Sequence, residues 1–253
     1  MNIAVALSLL AVICTTCAEE KDDRSKLDKL RLQIRDNLDS VENDLLELDA
    51  IRRESEDVTS DKVIDEGRKQ EKVFRKFVDL SVNQMRKELK TAEEKDVDAQ
   101  HCFDANYEGV KGVVKKADED SRKCKESSYE TLKENLQFID DVKKRGDMLK
   151  DDLRGIELHC HSGDTKEMII CLTTELAKIE ENVKNFKDDV VKTKQAVDSV
   201  GDFVLLEARK CFENIYDEAL FNCEAARRSH TGCVNKAIET AGKTRRISPK
   251  IIQ

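Results

Sequence analysis

The residues of this chain that could do covalent chemistry are its nine cysteines. Two of them, Cys14 and Cys17, lie near the amino terminus, and the other seven lie between residues 102 and 233. Cysteines of exported proteins usually form disulfides, whereas those of cytosolic proteins more often act as thiols or metal ligands. The compartment of the protein therefore decides which chemistry its cysteines perform.

The first eighteen residues indicate export. Residues 3–13 form an uncharged apolar run, which has the length of a signal-peptide core and is too short to cross a bilayer. Thr16 and Ala18 are small residues of the kind that signal peptidase accepts. We therefore predict a signal peptide over residues 1–18, a secreted extracellular chain that begins at Glu19, and oxidised cysteines. No later segment is apolar enough to predict a membrane span.

Two segments of the chain repeat the pattern Cys-Phe-acid-x-x-Tyr, and they begin at Cys102 and Cys211. Another cysteine follows each of them at the same distance along the chain, at Cys124 and Cys233. This spacing advances an α-helix by about 40° beyond six turns and by about 33 Å, so the two cysteines share a face but cannot reach each other. If a new helix begins at Ser127, the helices that carry these cysteines run antiparallel and would be joined by the disulfides Cys102–Cys233 and Cys124–Cys211. The alternative is that the equal spacing is a coincidence.

The three remaining cysteines of the mature chain are Cys160, Cys171 and Cys223. The first two flank a segment, residues 159–165, whose Ser, Gly and Asp indicate a loop, and we expect them to pair. Cys223 lies about 120° from the face that the other cysteines of its helix share, so we expect it to remain unpaired.

Metal binding and catalysis find little support in the residue pattern. Neither a C-x-x-C nor an H-E-x-x-H spacing for zinc occurs, and disulfides would consume the thiols. Acidic pairs such as Asp140 with Asp141 are numerous, as is usual on solvated helix faces. We therefore predict no catalytic residue, no metal, no cofactor and no enzyme activity. The four histidines all lie close to a cysteine in the sequence: His101, His159, His161 and His230.

The tripeptide Arg145-Gly146-Asp147 has the sequence that integrins recognise. Recognition requires a protruding loop that presents the arginine and the aspartate on opposite sides. Here the tripeptide lies within a helical pattern, and Gly146 is near the apolar stripe that runs from Ile139 to Leu149. We therefore expect any integrin binding to be minor.

The elements that must position these residues are amphipathic helices. Apolar residues recur at steps of three and four from Leu27 to Leu48 and again from Leu172 to Val200. Charged residues make up 39% of the chain and aromatic residues 4%, and there is one proline, a composition typical of long helices. We predict an all-α fold, an elongated, disulfide-bonded bundle of about six long amphipathic helices. The net charge of −8 argues against nucleic-acid binding.

Candidate helix breaks divide the chain into domains. A cap at Thr59 or Ser60, a capping box of Ser127 with Glu130, and Gly201 would each separate two helices. The break at Ser127 makes the last four helices run up-down-up-down. The predicted domains are a signal peptide over 1–18, an N-terminal helical hairpin over 19–98, a disulfide-linked four-helix bundle over 99–242, and a disordered basic tail over 243–253.

The repeated Cys-Phe-acid-x-x-Tyr segments, the signal peptide and the charged helical chain resemble the secreted insect proteins of the Tsetse EP-domain group. The resemblance covers about residues 100–235, although the glutamate–proline repeats of the name-giving protein are absent. The chain is also similar in size and character to the small helical proteins of mosquito saliva. Both resemblances imply an insect extracellular protein of midgut, haemolymph or saliva, with no assigned enzyme activity.

Two functions remain open at the level of the sequence. The first is a secreted interaction protein whose helical surface binds a host, microbial or self component, with a protein as the expected partner and homodimerisation through the heptad stripes left open. The alternative is an extracellular carrier of a small apolar ligand such as a lipid, held between the helices. Its cavity would be lined by aromatic side chains: Phe103, Tyr107, Phe138, Phe186, Phe203, Phe212, Tyr216 and Phe221.

Overall fold

A computed structural model describes the backbone of residues 3–247 and the side chains of residues 21–244. This part of the chain is 94% helical and has no strand, which confirms the predicted all-α class. Only Leu136 and Gln137 separate the second helix from the third, so the two form one bent helix. The helices are α1 (Ile3–Glu93), α2 (Gln100–Asn135), α3 (Phe138–His159) and α4 (Thr165–Ile247).

The prediction of about six helices is wrong, because the expected breaks lie inside helices. Ser127 lies within α2, where the hydroxyl of the neighbouring Ser128 donates to the carbonyl of Cys124 (2.8 Å) and so caps nothing. Thr59 is buried within α1, and Gly201 lies within α4. A Cβ atom on Gly201 would lie 2.9 Å from the Thr59 hydroxyl oxygen, so this glycine allows a close approach of two helices instead of ending one.

Aspartate residues mark the observed helix ends. After α1, Asp96 has a positive φ of 54°, and the amide of Val97 donates to the carbonyl of Ala92 (3.0 Å), which closes the helix end. Asp98 accepts a hydrogen bond from the amide of Gln100 (3.0 Å) and caps α2. Asp164 caps α4 in the same way, through the amide of Lys166 (2.8 Å).

The bend between α2 and α3 is stabilised by a residue distant in sequence. Arg52 of α1 donates to the carbonyl oxygen of Leu136 (2.9 Å) and makes two hydrogen bonds to the Asp140 carboxylate (2.8 and 2.9 Å). The amide of Ile139 donates to the same Leu136 carbonyl (3.1 Å). The bend therefore depends on a tertiary contact, and no Pro or Gly marks it in the sequence.

Contacts divide the chain into two compact units that differ from the predicted division at residue 98. The first unit consists of residues 1–55 with 135–200, and the second of residues 56–134 with 201–253. The predicted signal peptide lies outside the residues whose side chains are described. Helix α4 includes residues 243–247 of the predicted disordered tail, and the rest of that tail lies outside the described part.

In the first unit, segments of α1, α3 and α4 enclose an aliphatic core that contains one buried phenylalanine, Phe186. Ion pairs join α1 to α3, between Glu42 and Arg154 (2.6 Å) and between Asp49 and Lys143 (2.5 Å). Because residue numbers rise on one helix as they fall on the other, α1 and α3 are antiparallel here.

The second unit combines segments of α1, α2 and α4. Phe74 of α1 and Tyr216 of α4 are buried, with their ring centroids 5.5 Å apart, and Arg75 of α1 pairs with Asp118 of α2 (2.7 Å). Gly67 of α1 lies against the buried ring of Phe212, and an added Cβ would be 3.0 Å from that ring. Across the described residues of both units, no helix has a stretch long and apolar enough to cross a membrane.

Candidate functional site

Three disulfides occur in the described part of the chain, and they join the three pairs predicted from the equal spacing and from the loop at residues 159–165. In the second unit, two of them join α2 to α4. Cys102 of α2 bonds to Cys233 of α4 and Cys124 bonds to Cys211, so residue numbers rise along one helix as they fall along the other and the two helices are antiparallel. The third, in the first unit, spans the connection between α3 and α4. The bonds are Cys102–Cys233, Cys124–Cys211 and Cys160–Cys171.

The seventh cysteine, Cys223, is a free thiol in the core of the second unit. Burial raises its pKa to about 11, so almost none of it is ionised at neutral pH. A thiol reacts as its thiolate. Cys223 is therefore chemically inert in the folded protein.

One disulfide has a histidine against its sulfur atoms. The Nε2 atom of His101 lies 3.4 Å from the Sγ atom of Cys102 and 3.8 Å from that of Cys233. The three residues form a cluster of zinc-ligand types whose atoms all lie within 4.8 Å of one another. Because the two sulfurs are bonded to each other, the cluster offers the imidazole alone as a metal ligand.

The integrin tripeptide lies inside α3 of the first unit. Gly146 is buried, and a Cβ atom there would collide with the ring of Phe186 and lie 2.8 Å from a methyl group of Leu45. Arg145 pairs with Asp189 (2.8 Å), and Asp147 with Lys150 (2.7 Å). The tripeptide is thus held within packed helix, which does not present its arginine and aspartate as integrins require.

A buried polar cluster in the second unit was not expected from the sequence. His230 is fully buried, its Nδ1 atom lies 3.1 Å from a carboxylate oxygen of Glu88, and Thr231 donates to the same oxygen (2.8 Å). Burial alone raises the pKa of Glu88, but hydrogen bonds from Gln84, Thr231 and His230 outweigh it and lower the pKa. The sequence does contain a signal for this burial, because His230 follows the buried Tyr216 and Cys223 at steps of seven residues and so lies on the same face of the helix.

The aromatic side chains expected to line a ligand cavity lie in different places. Phe186 fills the core of the first unit, and Phe212 and Tyr216 fill that of the second. Phe203 and Phe221 are exposed on α4. These five rings therefore pack cores or face solvent, whereas Tyr107, whose ring stacks on that of Phe103 (5.3 Å), lines a surface groove of the second unit.

A groove with an apolar floor lies between α1 and α2 of the second unit, and we call it the valine groove. Its volume is about 470 Å³, and its floor consists of Val78 and Val82 from α1 with Val110 and Val114 from α2. Val82 and Val110 are buried, whereas Val78 and Val114 are half-buried. The groove thus offers an apolar strip along both helices.

Charged residues of both signs form the rim of the valine groove. At one end Arg75 and Asp118 pair across it. On the α1 side, Asp79 and Arg86 lie one heptad apart and therefore on one face of the helix. Among the described residues, neither has an ion-pair partner.

The α2 side of the rim carries Lys111, whose Nζ atom bonds to Glu108 (2.7 Å) and lies 4.6 Å from the centre of the Tyr107 ring.

Comparisons of the chain with protein-family models, with curated proteins and with solved structures find no match.

Proposed function

We propose that this protein is a secreted, non-enzymatic interaction protein that binds the amphipathic helix of a partner protein in the valine groove. The observation that carries the proposal is the apolar floor of four valines between two helices, bordered by charged residues of both signs. Helix-in-groove recognition uses such a surface, since an apolar stripe on the partner fills the floor while polar residues meet the rim. The partner helix would add a fourth helix to the second unit.

The rim supports a specific charge pattern on the partner. Arg86 and Asp79 lie about two helical turns apart on one side of the groove and lack ion-pair partners among the described residues. An acidic side chain opposite Arg86 and a basic one opposite Asp79, about two turns apart on the partner helix, would complement both. Such rim charges set orientation and specificity more than affinity.

Export and an insect source are part of the proposal and rest on other observations. Three disulfides are compatible with an oxidising extracellular compartment. The insect source, with saliva, midgut or haemolymph as the site of action, rests on the resemblance carried by the repeated Cys-Phe-acid-x-x-Tyr segments, the predicted signal peptide and the size and charged helical character of the chain. The rival function, a carrier of a small apolar ligand, would place a lipid chain in the same groove.

Two matched substitutions on α1 test the proposal. Val78→Asp puts a charge on the half-buried floor of the groove, whereas Val73→Asp puts the same charge on an exposed valine outside it, 63% accessible. Tagged wild-type protein and both variants are exposed to fluid from the source tissue, recovered, and studied by native mass spectrometry. We expect a polypeptide bound to the wild type and to Val73→Asp, and its loss from Val78→Asp.

Experiments with the purified partner then test whether it binds at the rim of the valine groove. Arg86→Glu should weaken the complex, and an opposite charge change in the partner helix should restore it. A bound lipid-sized mass in place of a polypeptide would favour the carrier. A polypeptide retained by Val78→Asp would contradict the proposed groove.

A further inference from the structure

We propose that the Cys102–Cys233 disulfide is an exchange site, at which an external thiol forms a mixed disulfide with Cys233 while Cys102 leaves as a thiolate that His101 stabilises. The inference concerns covalent modification, and it does not depend on the function of the valine groove.

The two sulfurs of this bridge differ in access. Cys102 is buried, whereas Cys233 is half-buried and lines an open depression together with His101, Asp98 and Lys236. A thiolate attacks one sulfur of a disulfide in line with the bond and expels the other. Access therefore selects Cys233 as the attacked atom and Cys102 as the leaving group.

Two features stabilise the departing thiolate of Cys102. His101 already has its Nε2 atom 3.4 Å from the Cys102 sulfur, so an imidazole N–H can donate to the charge that develops there. Cys102 is also the third residue of α2, which begins at Gln100, and the amino-terminal end of a helix favours negative charge. A better leaving group makes exchange faster.

The other bridges lack this combination. The buried Cys124 lies within α2, far from either helix end, and Cys160 follows the carboxyl end of α3, where the helix dipole disfavours a thiolate. His159 and His161 flank Cys160 in sequence, but both are exposed and neither makes a described contact with a sulfur. Among the three bridges, only Cys102–Cys233 therefore has a histidine nitrogen described next to its sulfur atoms.

The exchange balances with an ordinary thiol as co-reactant. A thiol of the glutathione class loses its proton to water, and its sulfur bonds to Cys233 as the Cys102–Cys233 bond breaks. The Cys102 thiolate then takes up a proton, so one disulfide is exchanged for another and no further oxidant is needed. The Cys124–Cys211 bond continues to join α2 to α4 in the second unit.

Partial reaction with glutathione tests the assignment. The oxidised full chain is incubated anaerobically with reduced glutathione, quenched with acid, alkylated and mapped by mass spectrometry at successive times. We expect Cys102–Cys233 to open first, with glutathione attached to Cys233 and the alkylating label on Cys102. The buried Cys223 thiol should stay unlabelled until the protein is denatured.

A matched pair of histidine variants separates the role of His101 from simple exposure. Both His101 and His159 are exposed neighbours of a cysteine, so His101→Gln and His159→Gln should leave the helical circular dichroism unchanged. Positioned proton donors typically contribute factors of about 100 or more within enzymes, and we expect roughly a tenfold slower opening of Cys102–Cys233 in His101→Gln at this exposed site. Opening of another bridge first, glutathione mainly on Cys102, or equal rates in the two variants would overturn the proposal.

Discussion

The two units of this molecule differ in the length of chain that their disulfides close. The second unit has two disulfides that close chain segments of 87 and 131 residues, and it contains a buried histidine next to a half-buried carboxylate. The first unit has one disulfide, which spans only 11 residues, and relies on close packing around Gly146 and on ion pairs between helices. Close glycine contacts and ion pairs between helices occur in the second unit as well, so the units differ chiefly in the length of chain that their disulfides close.

The largest expected difference between the units concerns disulfide removal. In the chain-entropy model, Cys124→Ala with Cys211→Ala should lower the free energy of unfolding by about 4–5 kcal/mol, and Cys160→Ala with Cys171→Ala by about 3 kcal/mol, because the first bridge closes the longer loop. Denaturant unfolding followed by far-ultraviolet circular dichroism measures both changes. A larger loss in the variant of the first unit would contradict this account of the two units.

A smaller loss of stability is expected when one methyl group is added at Gly146 in the first unit. Gly146→Ala places a Cβ atom against Phe186 and Leu45, and overpacking of this kind costs about 1–3 kcal/mol, partly offset by about 1 kcal/mol of helix propensity. We expect a net loss of up to about 2 kcal/mol by thermal or denaturant unfolding.

The control for this substitution lies in the same helix. Gly155 has no atom within 4 Å of an added Cβ, so Gly155→Ala should raise stability by about 0.5–1 kcal/mol through propensity alone. Phe186→Leu should recover part of the loss when combined with Gly146→Ala. Equal effects of the two alanine substitutions would show that packing around Gly146 is not tight.

The smallest expected change in stability is the one that acidification causes at Glu88 in the second unit. The pKa of Glu88 is lowered from its ordinary 4.5, so the folded state binds this proton less readily than the unfolded state does. Its contribution to stability is therefore present above pH 4.5 and is lost as the pH falls through the lower folded value. Glu88→Gln should remove this contribution, so that its stability converges with that of the wild type in acid.

The exposed Glu213 of α4 provides the matched control for that experiment. Unfolding of wild type, Glu88→Gln and Glu213→Gln is compared between neutral and strongly acidic pH, with hydrogen exchange of the α4 peptides as a local measure. An identical pH dependence in the wild type and Glu88→Gln would show that the Glu88 carboxylate contributes nothing to acid sensitivity.

The bridges and the helix ends show where prediction from sequence succeeded and where it failed. The equal spacing of the two cysteine pairs fits parallel and antiparallel bonding alike, and the antiparallel pairs were predicted from breaks at Ser127 and Gly201. Neither break exists, and because removing two chain reversals leaves the relative direction of the helices unchanged, the antiparallel bonding is still observed. The bridges were therefore predicted although the topology drawn around them, with a break at Ser127, was wrong. Capping residues such as Ser127 and Thr59 give ambiguous signals, since a hydroxyl inside a helix can bond to a carbonyl of the preceding turn or be buried.

The sequence by itself determined the helical class through its regular periodicity, and it showed which cysteines share a helix face and which flank a loop. Only the tertiary structure decided where the helices end and bend. The bend at Leu136 depends on Arg52, and the continuity of α4 through Gly201 places that glycine against Thr59 of another helix. The valine groove and the contact of His101 with two sulfurs likewise combine residues far apart in sequence, and spacing along one segment carries no information about such contacts.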